Sequence, residues 1–280
     1  MSFSTPITAD GLRLFTRSWH PKGPRRAALV LVHGYAEHSG RYDHLAATFA
    51  SLGVATYAFD LRGFGQSEGR RAYVDHFDQY LDDLALVLEH VPSQDRPLFL
   101  FGHSMGGLIA LKFVLDRQPD LQGLLLNAPA LQVNPDLAPI LRRFARLLGR
   151  LAPTLPTVRS PQGAISRDPA VVAAANADPL NYHGRIPART GAELLRVGAD
   201  MRSRFAELTT PFLVLQGTGD RLTTPAWSER LYAQAASTDK TLKLYEGLYH
   251  ETFHEPEQDQ VLQDVRDWLA AHLPHATPTD

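Results

Sequence analysis

Residues 98–111 read LFLFGHSMGGLIAL, an apolar run that passes through Gly102-His103-Ser104-Met105-Gly106-Gly107 into a second stretch of small and aliphatic residues. The first part has strand character and the last has the spacing of a buried helix, so the glycine-serine knot between them is a strand-to-helix turn. Ser104 has two readings there: the polar residue of a tight bend, or a nucleophile held at its apex. G-x-S-x-G between a strand and a helix matches the nucleophile elbow, whose strained turn needs small neighbours so that backbone segments can pass.

The flanking sequence repeats the same alternation. Residues 27–32 (AALVLV), 54–59 (VATYAF), 97–101 and 122–126 (QGLLL) read as buried strands, separated by helical stretches at 42–52, 77–90 and 105–117. Residues 12–19 are expected to form an edge strand before them. The alternation stops at Asn127-Ala128-Pro129 and resumes with strand 212–216 (FLVLQ), helix 226–236, strand 241–245 (TLKLY) and a last helix over 258–272. Strands alternating with helices predict an α/β fold with a mostly parallel central sheet and helices on both faces. The expected core is 1–129 with 209–280, and 130–208 is an inserted helical cap punctuated by prolines.

An activated serine requires a base and an acid to orient it, here in the order Ser, acid, His. Asp220 lies just past strand 212–216 in GTGDRLTTP, and His250 follows strand 241–245 in EGLYHETFHE. Both fall on loops at the carboxyl edge of the sheet, where open α/β sheets bind ligands. Asp60, His103 and His254 are the rival candidates: Asp60 precedes the serine within the turn DLRGFGQS, His103 is inside the elbow, and His254 approaches the last helix. Oxyanion donors are expected from the backbone amides of Met105, just after the serine, and Tyr35, in HGYAEHSGRY after strand 27–32.

The 280-residue chain is large enough for one sizeable core, and its formal net charge of -2 gives no electrostatic case for nucleic acid. It has no cysteine, which excludes thiolate nucleophiles and cysteine-bound metals. H-E-x-x-H is absent, RGFGQSEG lacks the lysine and spacing of a phosphate loop, and neither metal nor cofactor is expected. With no secretory leader and no apolar run of bilayer length, the expectation is a soluble cytoplasmic protein.

HGYAEHSGRY, DLRGFGQSEG, GHSMGG, SRDPAVV, GTGDRLTTP and KTLKLYEGLYHETFHE, in this order along nearly the whole chain, resemble the monoacylglycerol lipase and lysophospholipase-like branch of the α/β-hydrolases. The resemblance implies Ser104, Asp220 and His250 as the triad, Tyr35 and Met105 as oxyanion donors, and 130–208 as a cap over the site. It also implies that Glu37 and Arg41 face the polar glycerol end of a substrate, or hold their loop together as an ion pair, and that His254 lies near the same end. The implied activity is ester hydrolysis of monoacylglycerols through an acyl-enzyme. Lysophospholipase or general carboxylesterase action is the alternative within the class, and a non-catalytic ligand receptor the alternative outside it.

Within 137–155, Leu137, Ile140, Leu141, Phe144, Leu147, Leu148 and Leu151 fall on one helical stripe, with Arg142, Arg143, Arg146 and Arg150 off it. Two accounts fit this basic amphipathic helix. Either its apolar face packs on the core with solvated arginines, or Ile140, Leu141, Phe144 and Leu148 line an acyl channel and the arginines meet an anionic membrane surface.

Overall fold

The computed structural model describes residues 5–92, 97–133 and 139–274, without the side chains of 139–143 and 162. Seven strands form one sheet: β1 (Thr16–Trp19), β2 (Ala27–Val32), β3 (Val54–Phe59), β4 (Leu98–His103), β5 (Gly123–Asn127), β6 (Phe212–Gly217) and β7 (Lys240–Tyr245). Their order is β1-β3-β2-β4-β5-β6-β7; β1 is antiparallel to β3 and every other pair is parallel. Strands β2 to β6 are buried along their whole length, as continuous runs of valine, leucine and alanine demand when both faces of a sheet are covered.

On one face lie α1 (Asp43–Ser51) and α8 (Gln258–His272), where Leu45 and Phe49 share a core with Phe99, Phe101, Val265 and Trp268. On the other lie α2 (Asp78–Glu89), α3 (Met105–Arg117) and α7 (Pro225–Gln234), packed through Tyr80, Leu84, Ile109 and Leu231 against Val30, Leu100 and Val214. Between β5 and β6 the chain leaves the sheet and forms α4 (Pro139–Leu151), α5 (Pro169–Ala177) and α6 (Ala188–Arg202). Residues 134–138, early in the expected insertion, lie outside the described part.

One expected element is shorter than its sequence suggests. The edge strand read over 12–19 pairs with β3 only from Thr16, and the amides of Arg13 and Phe15 donate instead to Glu68 Oε2 (2.9 Å) and Ser67 Oγ (2.8 Å). The loop after β3 thus takes hydrogen bonds that a neighbouring strand would have supplied. No helix among the described residues is long and apolar enough to cross a membrane.

Candidate active site

β4 runs directly into the serine, and α3 starts at the next residue. Ser104 has φ +52° and ψ −116°, a backbone conformation that a side chain adopts only at a cost of order 1–3 kcal/mol. The elbow is held from three sides: the Ser104 amide donates to the Asn127 carbonyl at 2.9 Å, and its carbonyl accepts from Leu108 (3.1 Å) and Ala130 (2.9 Å). Its glycines are required by close approach, since a Cβ on Gly106 would meet the Val32 carbonyl oxygen at 2.2 Å and one on Gly102 the Gly106 carbonyl oxygen at 2.4 Å.

Ser104 and His250 line one cavity of about 110 Å3 at the carboxyl edge of the sheet. His250 donates from Nδ1 to Asp220 Oδ2 at 2.8 Å, which leaves Nε2 free to take a proton. That carboxylate is fully engaged. Asp220 also accepts from the Leu222 and Thr223 amides (2.7 and 3.0 Å), Thr223 Oγ1 (2.6 Å) and Gln216 Nε2 (3.0 Å). Burial opposes its charge, but the neighbouring His250 and these donors hold its pKa well below the usual carboxylate range. Burial also opposes charge on His250, and the Asp220 carboxylate more than offsets it, so this imidazole titrates above its ordinary value.

Tyr35 lines the same cavity, in the loop after β2. That loop is fixed by His33, which donates from Nδ1 to the Gly34 carbonyl (2.7 Å) and accepts at Nε2 from the Leu61 amide (2.9 Å). Glu37 fastens it further, its Oε1 accepting from the Gly34 amide (2.5 Å) and Tyr42 Oη (2.7 Å). The Met105 amide opens α3, one of the first-turn donors that a helix cannot satisfy internally. Tyr35 and Ser104 thus line one cavity, and Met105 directly follows the serine in the chain.

Glu37 and Arg41 also line the cavity, but as an ion cluster. Arg41 reaches Glu37 Oε2 at 3.1 Å and grips Glu251 through two bonds of 2.7 Å. Both carboxylates are buried, which favours protonation, yet the Arg41 charge holds each below its ordinary pKa, with His254 also acting on Glu251. His254 joins the same cluster. It stands behind Glu251, bonding it through Nδ1 (2.9 Å) and meeting the Arg41 carbonyl at Nε2 (3.2 Å), and it is not part of the cavity wall. Its ring is spent on tying the two loops together.

The other two rival candidates are engaged outside any proton relay. Asp60 accepts from the Ser39 and Gln66 amides, each at 2.8 Å. His103 receives Asn127 Nδ2 at 2.8 Å, and burial lowers its pKa to about 4, so it stays neutral. Four supporting residues escape a motif reading: Asn127, which also takes Thr252 Oγ1 at 2.7 Å; Gln216 and Thr223 around the acid; and Glu251. The polar ends of two otherwise apolar strands, LLLN and FLVLQ, are the signal that could have flagged the first two.

A second, apolar pocket of about 480 Å3 opens between α4 and α6, and it shares Val133, Val158, Ile186 and Leu194 with the catalytic cavity. Phe144 and Leu148 line it; the side chains of Ile140 and Leu141 lie outside the described residues. From Phe144 onward the stripe on α4 is not buried against the core. Phe144 is 60% exposed and Leu151 76%, so this face borders an open pocket.

The profile of the serine aminopeptidase S33 family matches residues 23–257. The chain is 41% identical to the monoacylglycerol lipase of Mycolicibacterium smegmatis over 94% of its own length and 95% of the relative's. It is 37% identical to the monoglyceride lipase of Rattus norvegicus, covering 95% of this chain and 90% of that one. Its fold superposes on the crystal structure of Paleococcus ferrophilus monoacylglycerol lipase with a TM-score of 0.85 at 31% identity, covering 92% and 99% of the two chains. The chain belongs to the serine aminopeptidase S33 family and has the α/β-hydrolase fold.

Proposed function

We propose that this protein is a serine ester hydrolase that splits monoacylglycerols into fatty acid and glycerol. Ser104 Oγ attacks the ester carbonyl while His250 Nε2 takes its proton, and Asp220 stabilises the imidazolium. The amides of Tyr35 and Met105 receive the developing oxyanion. The imidazolium then gives its proton to the departing glycerol oxygen, and His250 activates the water that releases the fatty acid. No cofactor enters the scheme.

The observation that carries this reading is the joining of the Ser104–His250 cavity to an apolar pocket through four common wall residues. The acyl chain occupies the pocket, against Phe144 and Leu148, and residues 130–208 form the cap that encloses it. An aminopeptidase needs a free carboxylate for the substrate's amino terminus. Here both glutamates of the cavity wall are committed to Arg41, which favours a neutral ester. The exposed Phe144, Leu147 and Leu151 on the cap suit transient contact with a lipid surface.

The test is Ser104→Ala. Hydrolysis of 1-monoacylglycerols and labelling by a fluorophosphonate should both vanish with the fold retained. Wild-type turnover in this variant removes the assignment, and a wild-type protein that neither labels nor hydrolyses supports the receptor reading.

A further inference from the structure

Outside the catalytic cavity, one groove of about 400 Å3 gathers uncompensated positive charge. Its walls are Arg146 and Arg150 of α4, Arg189 and Arg196 of α6, and His76 just before α2, with Glu193 the one carboxylate among them. Glu193 is already committed. It accepts from Arg196 at 2.7 and 3.2 Å and from the Phe77 amide at 3.0 Å. Asp78 and Asp200 act on Arg196 from outside the groove, and they face Lys112 (3.2 Å) and Arg204 (4.0 Å) respectively.

The guanidinium groups of Arg146, Arg150 and Arg189 therefore line one groove without an ion-pair or hydrogen-bond partner among the described residues, with the Glu193 carboxylate acting on Arg189 only through space. The Nε of Arg189 is shielded from solvent and has no acceptor. Arg146 and Arg150 are one helical turn apart, a like-charge spacing that weakens a helix unless a counter-charge sits between them. Guanidinium groups on two facing helices present several forked N–H donors to one volume, the arrangement that matches the tetrahedral oxygens of a phosphate. The volume falls in the range of small-ligand sites.

We propose that this groove binds a phosphate-bearing ligand, held between Arg146 and Arg150 on one side and Arg189 and Arg196 on the other. The group is either a phosphorylated small molecule or a phospholipid headgroup. Ala192 lines both this groove and the apolar pocket, so the bound anion would brace α4 against α6 from behind the proposed acyl site. The inference stands independently of the ester-hydrolase reading, because its residues lie outside the catalytic cavity.

The experiment titrates the full chain with inorganic pyrophosphate by calorimetry. In parallel it measures co-sedimentation with vesicles of phosphatidylcholine alone and of phosphatidylcholine mixed with phosphatidylglycerol. Binding of pyrophosphate identifies a soluble phosphate as sufficient; binding only to the mixed vesicles identifies the headgroup. In either case, combined Arg146→Gln, Arg150→Gln and Arg189→Gln should weaken binding at least about tenfold through loss of charge-assisted bonds. Lys22→Gln, Arg117→Gln and Arg266→Gln together make the same change in net charge elsewhere and should leave binding within about twofold. Failure of the wild type to bind any probe overturns the proposal. So does an equal loss in the two triple variants, or binding that survives the groove variant. Retained hydrolysis of a short-chain ester by the groove variant reports that it is folded.

Discussion

Asp220 takes five hydrogen bonds on two carboxylate oxygens, and this explains why it stays charged although buried. Its charge raises the pKa of His250, and a base must be neutral to work. Activity should therefore rise with pH through a value above the ordinary imidazole pKa of 6.5. Asp220→Asn removes both the charge and the correct tautomer, so kcat should fall by roughly 10^4 and the rising limb should move to lower pH. A pH–rate profile measures both; an unmoved limb contradicts the electrostatic account. The same pair links to stability with opposite signs. The Asp220 contribution is present above its unfolded pKa and lost as pH falls towards its depressed folded value. The His250 contribution is present below 6.5 and lost as pH rises through its raised folded value.

At the scale of elements, two loops and a turn carry the site, and each is locked differently. Gly106 lets α3 pass the end of β2, and Gly106→Ala should cost about 1–3 kcal/mol or more because the backbone there cannot yield. Chemical denaturation reads that loss, and an unchanged midpoint contradicts the close packing of the elbow. The loop after β2 and the loop after β7 are joined by Arg41 between Glu37 and Glu251. Arg41→Met leaves two buried carboxylates facing each other, which should cost about 3 kcal/mol near neutral pH. Their folded pKa values would then rise above the unfolded ones, so the variant should lose stability as pH climbs from 5 to 8. Thermal denaturation across that range checks the sign; the wild type, with both carboxylates depressed, should show only the smaller loss that His250 contributes above pH 6.5. The strained turn at Ser104 and the loops that hold Asp220 and His250 were legible because each has a local signature: a glycine-flanked serine, and polar loops ending apolar strands. The sequence did not carry the Arg41–Glu251 bond, whose partners lie 210 positions apart. It did not carry the place of His254 either, since only the folded chain shows that ring bonded to Glu251 and to the Arg41 carbonyl.

Across the whole molecule, the parallel core was legible from β2 to β6 because fully buried strands read as unbroken apolar runs. The segment between β5 and β6 was legible as helical, but its attachment was not. It is fastened to the loop after β2 by His38 on Asp178 (2.8 Å) and by the Tyr182 amide on the Ala36 carbonyl (2.9 Å). It is fastened to the loop after β7 by Arg167 on Glu255 (2.8 Å) and the Glu251 amide on the Ile165 carbonyl (2.8 Å). The inserted segment thus grips both loops that line the cavity with Ser104, while Phe144, Leu147, Leu148 and Leu151 of α4 line an open apolar pocket. That architecture suits a substrate with one long apolar arm and one small neutral head. The measurement that tests this most directly is kcat/KM for 1-monoacylglycerols, lysophosphatidylcholines and p-nitrophenyl esters of graded acyl length, with Ser104→Ala as the blank. The account predicts that monoacylglycerols are preferred at medium and long acyl length and that every activity disappears in the blank; preference for lysophosphatidylcholine, or for the shortest esters, would contradict it.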